Sequence, residues 1–372
     1  MRLLFVGTNK GGGGTESHFI TLARTMSAAG HPVAAVVYPG APIHTGLQGS
    51  GVQLHDGVFR NAVDPRGIRA VWKACREFRP DWIVGSFSKE YWPLAILARL
   101  LGIKLTIFKH MDFAMRPATN YFIPRLAHRF IVISDFMAER FVARGILAER
   151  ISVLYNPLNL DYFKPDPELR KATRRGLGYA EDDVLLGFVG AMHPDKGILQ
   201  LADALNQAMA HIPKLKALWV GEGPAIAELA AHICSGSYAA RHSIHQWTAD
   251  VRPYYAAMDM LAIASVESET FGRVSIEAQA SGVPVLCSDI GGIPETLVPG
   301  ITGLLLKPGD IHAWRDAIID LASNEQLRKD MAEQGRAWVE QQFSAVVIGQ
   351  KFASLLQDGQ ERKYIIKKGV KQ

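Results

Sequence analysis

Cysteine is nearly absent: Cys75, Cys234 and Cys287 are the only three in 372 residues, widely spaced and with no C-x-x-C. That excludes a disulfide scaffold and a thiolate metal cage, and it fits buried thiols in a reducing compartment. Long apolar runs are missing as well. The N-terminal run ends at Thr8, Asn9 and Lys10, too early for a secretory core, and the apolar stretch 93–101 contains Arg99 and is too short to span a membrane. There is no D-x-D for a metal-bound diphosphate. With 48% apolar and 21% charged residues, the composition is that of a globular protein and excludes disorder as the main state. A chain of this length favours two domains, and the expected location is the cytoplasm.

Charge is distributed unevenly. Residues 1–165 carry +9, residues 166–343 carry −8, and residues 344–372 carry +4. A basic lobe can face phosphates, an anionic glycan or a membrane surface; a merely solvated face is an equal alternative. Arg66, Arg69, Lys73, Arg76 and Arg79 share a predicted helix with Ile68, Val71, Trp72 and Cys75. Such a helix can lie on an anionic membrane or turn its apolar side to a core. No aromatic-basic interleaving points to nucleic acid.

The apolar run 2–7 ends in Gly7 and is followed by Gly11, Gly12, Gly13 and Gly14, then by helical spacing at Phe19, Leu22, Ala23 and Met26, then by a second β-type run at 32–38. This is a βαβ unit of a parallel sheet. Further strands are predicted at 82–86, 105–108, 130–133 and 151–154, and helices at 94–101 and 136–143, the latter capped by Ser134. Asn156-Pro157 and Lys164-Pro165-Asp166-Pro167 mark a linker. A second alternating series follows, with strands at 184–190, 217–221, 260–264 and 284–287 and helices at 199–210, 225–233, 275–281 and 312–321. The fold class is therefore α/β, two doubly wound domains in tandem: 1–165, 166–343, and a last segment 344–372, expected to pack back on the N-terminal domain, with a helix at 348–356 and a Lys-rich end expected to fray.

Four consecutive glycines between a strand and a helix allow close backbone approach to a ligand at a helix N-terminus. The spacing is not G-x-G-x-x-G, no acidic residue ends the second strand to hold a ribose, and no G-K-[ST] follows; a nicotinamide oxidoreductase is disfavoured. Gly190 ends another strand, and Lys196-Gly197 places a cation at a helix start, which suits a diphosphate. The third loop is Glu267-Ser268-Glu269-Thr270-Phe271-Gly272-Arg273-Val274-Ser275-Ile276-Glu277. Glu277, about two turns into the next helix, can point back toward the crevice of Glu269, and two such carboxylates can grip vicinal hydroxyls. His242 and His245 are a possible ligand pair with no third ligand evident.

The pair Glu269/Glu277 resembles the E-x7-E signature of retaining GT-B glycosyltransferases of family GT4. Other matches run in order along some 300 residues: the glycine loop with Glu16, Gly30-His31-x-Val33, His110 after a strand, Ser134, Asn156, Gly187-Phe188-Val189-Gly190 with Lys196-Gly197, Val220-Gly221-Glu222-Gly223-Pro224, Gly291-Gly292-Ile293-Pro294-Glu295 and Gly300-x-Thr302-Gly303.

The resemblance implies two Rossmann-like domains facing across a cleft, with a nucleotide-diphospho-sugar on the C-terminal one and a glycan or lipid-linked acceptor on the other. By that resemblance Glu269 holds the donor sugar, and the backbone at Thr270, Phe271 and Gly272 holds sugar and diphosphate. Glu277 holds the ribose, Lys196 neutralises the leaving group, and His110 reaches the reacting centre. Gly12, Gly13 and Gly14 approach the diphosphate or acceptor when the cleft closes. It implies retention with no enzymic nucleophile, no metal or other cofactor, and a cell-envelope acceptor of lipopolysaccharide type with peripheral contact to anionic membrane.

Two positions depart from the family. Ala191 stands where an Arg usually follows Gly190; a lost charge-assisted contact there is worth about 1.5–3 kcal/mol, and Arg273 or His193 is a candidate replacement. In Gln246-Trp247-Thr248, Trp247 can stack on a nucleobase or pack into the core. A non-catalytic nucleotide-sugar binder and a nucleotide-sugar epimerase remain alternatives.

Overall fold

The computed structural model describes residues 1–267 and 269–357. Its contacts divide the chain into two units: residues 1–158 together with the segment from Phe343, and residues 159–342.

The first unit is built on seven parallel strands. Their spatial order is Gln53–Asp56, Val33–Val37, Leu3–Gly7, Trp82–Gly85, Lys104–Lys109, Arg129–Val132 and Ile151–Val153. The chain starts in the middle, fills one side, and returns to fill the other. Every residue of Leu3–Gly7 and Val33–Val37 is buried, as strands covered by helices on both faces must be. Helix Gly14–Ala28 buries Phe19, Leu22, Ala23 and Met26 against this sheet. The last described helix, Ala345–Gln357, adds Ile348, Phe352 and Leu356 to the same core. Its Phe352 ring lies 6.5 Å from that of Phe5 and 5.6 Å from that of Phe108. These three side chains are four residues apart, so one helical face carries all of them.

The second unit repeats the plan with six parallel strands, in the order His242–His245, Leu215–Val220, Val184–Val189, Met260–Ile263, Val285–Ser288 and Gly303–Leu306. Trp219, Phe188, Leu201, Leu205, Ile318 and Leu321 form part of its core. At the strands' N-terminal edge Asp259 is held by Arg170 and Arg174, which ties helix Pro167–Leu177 to the sheet.

The α/β class and the tandem doubly wound plan agree with the sequence. Several elements were not legible. Strand Gln53–Asp56 lies at the sheet edge with no buried residue and so has no apolar run to betray it. Helix Pro117–Leu126 carries an internal Pro124, and Glu325–Phe343 is a polar helix. Part of the linker region, from Pro167, is helical, capped by Asp166. The helix bearing Glu277 begins at Arg273, so Glu277 stands one turn from its start rather than two. The Lys-rich end expected to fray lies outside the described residues.

Candidate active site

In both sheets the strand order reverses beside the first strand. In open α/β sheets ligands bind outside the C-terminal ends of the strands at such a switch point. In the second unit the switch lies between Val184–Val189 and Met260–Ile263. The loop after the first carries Gly190, Ala191 and Lys196; the loop after the second carries Glu269 through Gly272. The two loops are tied together. The Val266 N–H donates to the Asp195 carbonyl at 2.9 Å, and Lys196 Nζ lies 2.6 Å from Glu269 Oε2. Gly291, at φ +63°, lets a third loop close on this one: a Cβ there would sit 2.0 Å from the Glu269 carbonyl oxygen. The Gly-Gly-Ile-Pro-Glu segment is thus needed for loop packing around Glu269.

Glu277 is buried and both its oxygens are engaged. Arg273 Nε donates to Oε1 at 2.7 Å and the Tyr255 hydroxyl to Oε2 at 3.0 Å. Tyr255 is fully buried, and burial beside Glu277 pushes its pKa well up, so it acts only as a donor. Arg273 Nη1 is buried with no hydrogen-bond partner among the described residues. Ser275, one turn before Gln279, joins Thr296 Oγ1 at 2.8 Å and Gln279 Nε2 at 2.9 Å, which pins this helix to the Ile293–Thr296 turn.

The departures now have a place. Ala191 is exposed. His193 is engaged by Asp195 at 2.7 Å. Arg273 keeps a buried guanidinium nitrogen, Nη1, without a hydrogen-bond partner among the described residues, beside Glu277. Trp247 is not packed: it is 53% exposed, in the loop after edge strand His242–His245. His242 and His245 lie three apart in that strand and therefore point to opposite faces, which removes them as a chelating pair. Burial pushes the His242 pKa down to about 4, and its ring stacks on Trp219. Among the described residues no group of three His, Cys, Asp or Glu side chains could hold a metal ion. A cavity of about 530 Å³ lined by Arg170 and Asp259 lies at the opposite, N-terminal edge of this sheet.

In the first unit the switch lies between Leu3–Gly7 and Trp82–Gly85. None of Gly11 to Gly14 is in the left-handed region, Gly13 at φ 170° being extended, and a Cβ on Gly11, Gly12 or Gly13 would meet nothing closer than 3.4 Å. Neither backbone conformation nor packing within the fold requires glycine at positions 11, 12 and 13. Glu16 turns back on the loop, accepting from Asn9 Nδ2. A cavity of about 530 Å³ opens at this edge, lined by Thr15, Ser86, Lys89, Trp92, Lys109 and His110 among others. The His110 ring stacks on Phe108 at 5.7 Å and meets His18 edge-on at 4.6 Å.

Sequence reasoning missed His18 and also Glu90. The Glu90 side chain is fully buried; its Oε1 accepts from the Thr8 N–H at 2.8 Å and the Thr8 hydroxyl at 2.7 Å. Burial raises its pKa from 4.5 to about 7. Because the folded value is the higher one, its contribution is full below about pH 4.5 and is lost as pH rises toward 7. The whole of it is worth up to about 3 kcal/mol. Urea unfolding of the wild type should therefore weaken between pH 5 and 7.5 relative to Glu90→Gln; parallel curves would show that Glu90 is not protonated in the fold.

Known proteins match this architecture in both units. The family model described as Glycosyl transferases group 1 matches residues 170–338, and that described as Glycosyltransferase Family 4 matches residues 12–162. This chain belongs to the GT-B glycosyltransferases of family GT4. The curated relatives include a D-inositol 3-phosphate glycosyltransferase of Mycobacterium tuberculosis, 33% identical over 201 residues. That stretch is 52% of this GT4 chain and 40% of the relative, so the chain spans less than half the length of the curated relatives it matches. Among solved structures, Anabaena HepE in complex with UDP-glucose has a TM-score of 0.80 and 25% identity, covering 96% of this chain and 99% of that one. A glycosyltransferase from Rickettsia africae has a TM-score of 0.84 and 21% identity, covering 96% and 99%. Among the described residues of this GT4 chain, no helix is long and apolar enough to cross a membrane.

Proposed function

We propose that this chain transfers a glycosyl group from a nucleoside-diphosphate sugar to a glycan or lipid-linked acceptor of the cell envelope, with retention and without metal. The Lys196–Glu269 pair at the switch point, with Glu277 in the adjoining helix, carries the reading. In this pair a cation and a carboxylate satisfy one another. A diphospho-sugar offers each a better partner: phosphate oxygens for Lys196 and sugar hydroxyls for Glu269. HepE, which shares the fold, binds UDP-glucose by its description, which supports a UDP-sugar as donor.

In the reaction the bond from the anomeric carbon to the diphosphate oxygen breaks, and a bond from the same carbon to an acceptor hydroxyl forms on the same face. The hydroxyl proton passes to the departing phosphate oxygen. Lys196 stabilises the charge that develops there. Arg273 Nη1 is the second cation, in place of the arginine absent at 191. Glu277 holds the ribose, Trp247 offers a face to the nucleobase, and Gly190 with the backbone of Thr270, Phe271 and Gly272 lines the diphosphate path. His110 serves the reacting centre, and the Gly12–14 backbone serves the diphosphate or the acceptor. Helix Pro65–Phe78 buries Val71, Ala74, Cys75 and Phe78 and turns Arg66, Arg69, Lys73, Arg76 and an exposed Trp72 outward; that face supports peripheral contact with an anionic membrane.

The test is the protein's slow hydrolysis of UDP-glucose, followed by proton NMR with and without EDTA. Free glucose should appear first as the α anomer, at equal rates in both samples. Initial release of the β anomer would overturn retention, and loss of turnover on exhaustive chelation would overturn metal independence.

A further inference from the structure

The cavity of the first unit says what kind of acceptor it takes; this step rests on the transferase reading above. Its lining includes Lys89, Lys109 and Arg116 and no Asp or Glu. Aromatic side chains stand beside these cations: Phe87, Trp92 and Phe113. The Trp92 indole is fixed by a hydrogen bond from Nε1 to Thr119 Oγ1 at 3.0 Å.

Lys109 is the decisive residue. It ends strand Lys104–Lys109 and is only 5% exposed. Its ammonium forms no ion pair among the described residues. Asp112, the carboxylate that acts on it, is already held by Arg140 at 3.1 Å and Arg144 at 2.7 Å. Burial pushes the Lys109 pKa down, and Arg144 pushes it the same way. Lys109 lines the cavity with its ammonium 5.9 Å from the centre of the Phe141 ring, and the one carboxylate acting on it is shared with two arginines, so a negative group in the cavity would complete its charge compensation. The other two cations differ in state. Lys89 Nζ donates to the Thr8 carbonyl at 2.9 Å, while Arg116 is exposed at the start of helix Pro117–Leu126.

We propose that this cavity is an anion subsite that binds a phosphate group of the acceptor, with Lys109 and Arg116 as its cations and Trp92 and Phe113 against the acceptor's carbon skeleton. An acceptor with hydroxyls alone leaves Lys109 with only a share of Asp112; a phosphate monoester brings up to two negative charges and gives Ser86, Ser88 and Thr119 acceptor oxygens. The phosphate can belong to a soluble phosphorylated polyol or to a lipid headgroup.

The experiment uses the full chain. UDP binding is measured first by calorimetry, and the UDP-saturated protein is then titrated with myo-inositol 1-phosphate and, separately, with myo-inositol. Parallel arms use phosphatidylcholine vesicles with and without phosphatidic acid. The phosphorylated probe should bind at least about tenfold more tightly than its parent. Lys109→Met and the exposed Arg116→Ala should each remove most of that preference while UDP affinity stays unchanged. Preference for the soluble probe, or for phosphatidic acid vesicles lost in Lys109→Met, identifies the source of the phosphate. Equal binding of phosphorylated and unphosphorylated probes, or a preference that survives both substitutions, overturns the subsite. Failure of UDP to bind overturns the transferase reading instead, and the phosphate comparison is then made without UDP.

Discussion

Replacing Lys196 with alanine is expected to lower kcat for UDP-sugar turnover by about 100- to 1,000-fold, the usual consequence of removing one charged donor aimed at developing negative charge. The effect should fall mainly on kcat, because charge on the leaving diphosphate grows as the glycosidic bond breaks. Folding should be little affected. Lys196 and Glu269 are each about a quarter exposed, so Glu269 left alone can be hydrated. Glu269→Gln tests the other half of the pair: it keeps a hydrogen-bonding partner for sugar hydroxyls but frees the Lys196 ammonium. The double variant should lose less than the sum of the two single losses, since the residues act on one ligand. Steady-state kinetics on the three variants measure this; a Lys196→Ala enzyme within threefold of wild type would remove Lys196 from leaving-group stabilisation.

Glu277→Ala should produce the second large effect, on both stability and donor affinity. The Tyr255 hydroxyl and the Arg273 guanidinium both donate to this carboxylate in a buried setting. Truncation strands both donors, at about 1–3 kcal/mol for each buried group, and a urea midpoint reads that loss. The ribose role makes a separate prediction. UDP affinity should fall about 10- to 100-fold, while affinity for inorganic diphosphate, which has no ribose, should stay within a factor of about three. Equal losses for the two ligands would mean that Glu277 acts only by holding Arg273 and the loop in place.

The sheets were legible because their strands are short apolar runs ending in glycine or polar turns, as at residues 2–7 and 184–190, and because helix periodicity separates them. The loops at the strand ends were legible for the same reason: a strand's end gives the address of its loop. The partners within those loops were not. Lys196 and Glu269 are 73 residues apart and Tyr255 and Glu277 are 22 apart, and no local pattern encodes such a contact. Glu90 reads in sequence like any solvated acid at a helix start; only the fold shows it sealed beneath Thr8. Trp247 could equally have been core, and its exposure is a property of the edge loop it occupies. The glycine run gave a clear signal with an unresolved cause, and the structure narrows that cause by showing that packing does not demand it.

The most direct measurement is the thermal midpoint of the wild-type protein with UDP, GDP, ADP and NAD, each with and without EDTA. A nucleoside diphosphate at about 100 times its dissociation constant adds about 2.7 kcal/mol, a rise of about 5–10 °C for a domain of this size. One nucleoside diphosphate, UDP foremost, should raise the midpoint equally with and without chelator, and NAD should leave it unchanged. Stabilisation by NAD, or by no nucleotide at all, would contradict the assignment of the second unit as the donor site.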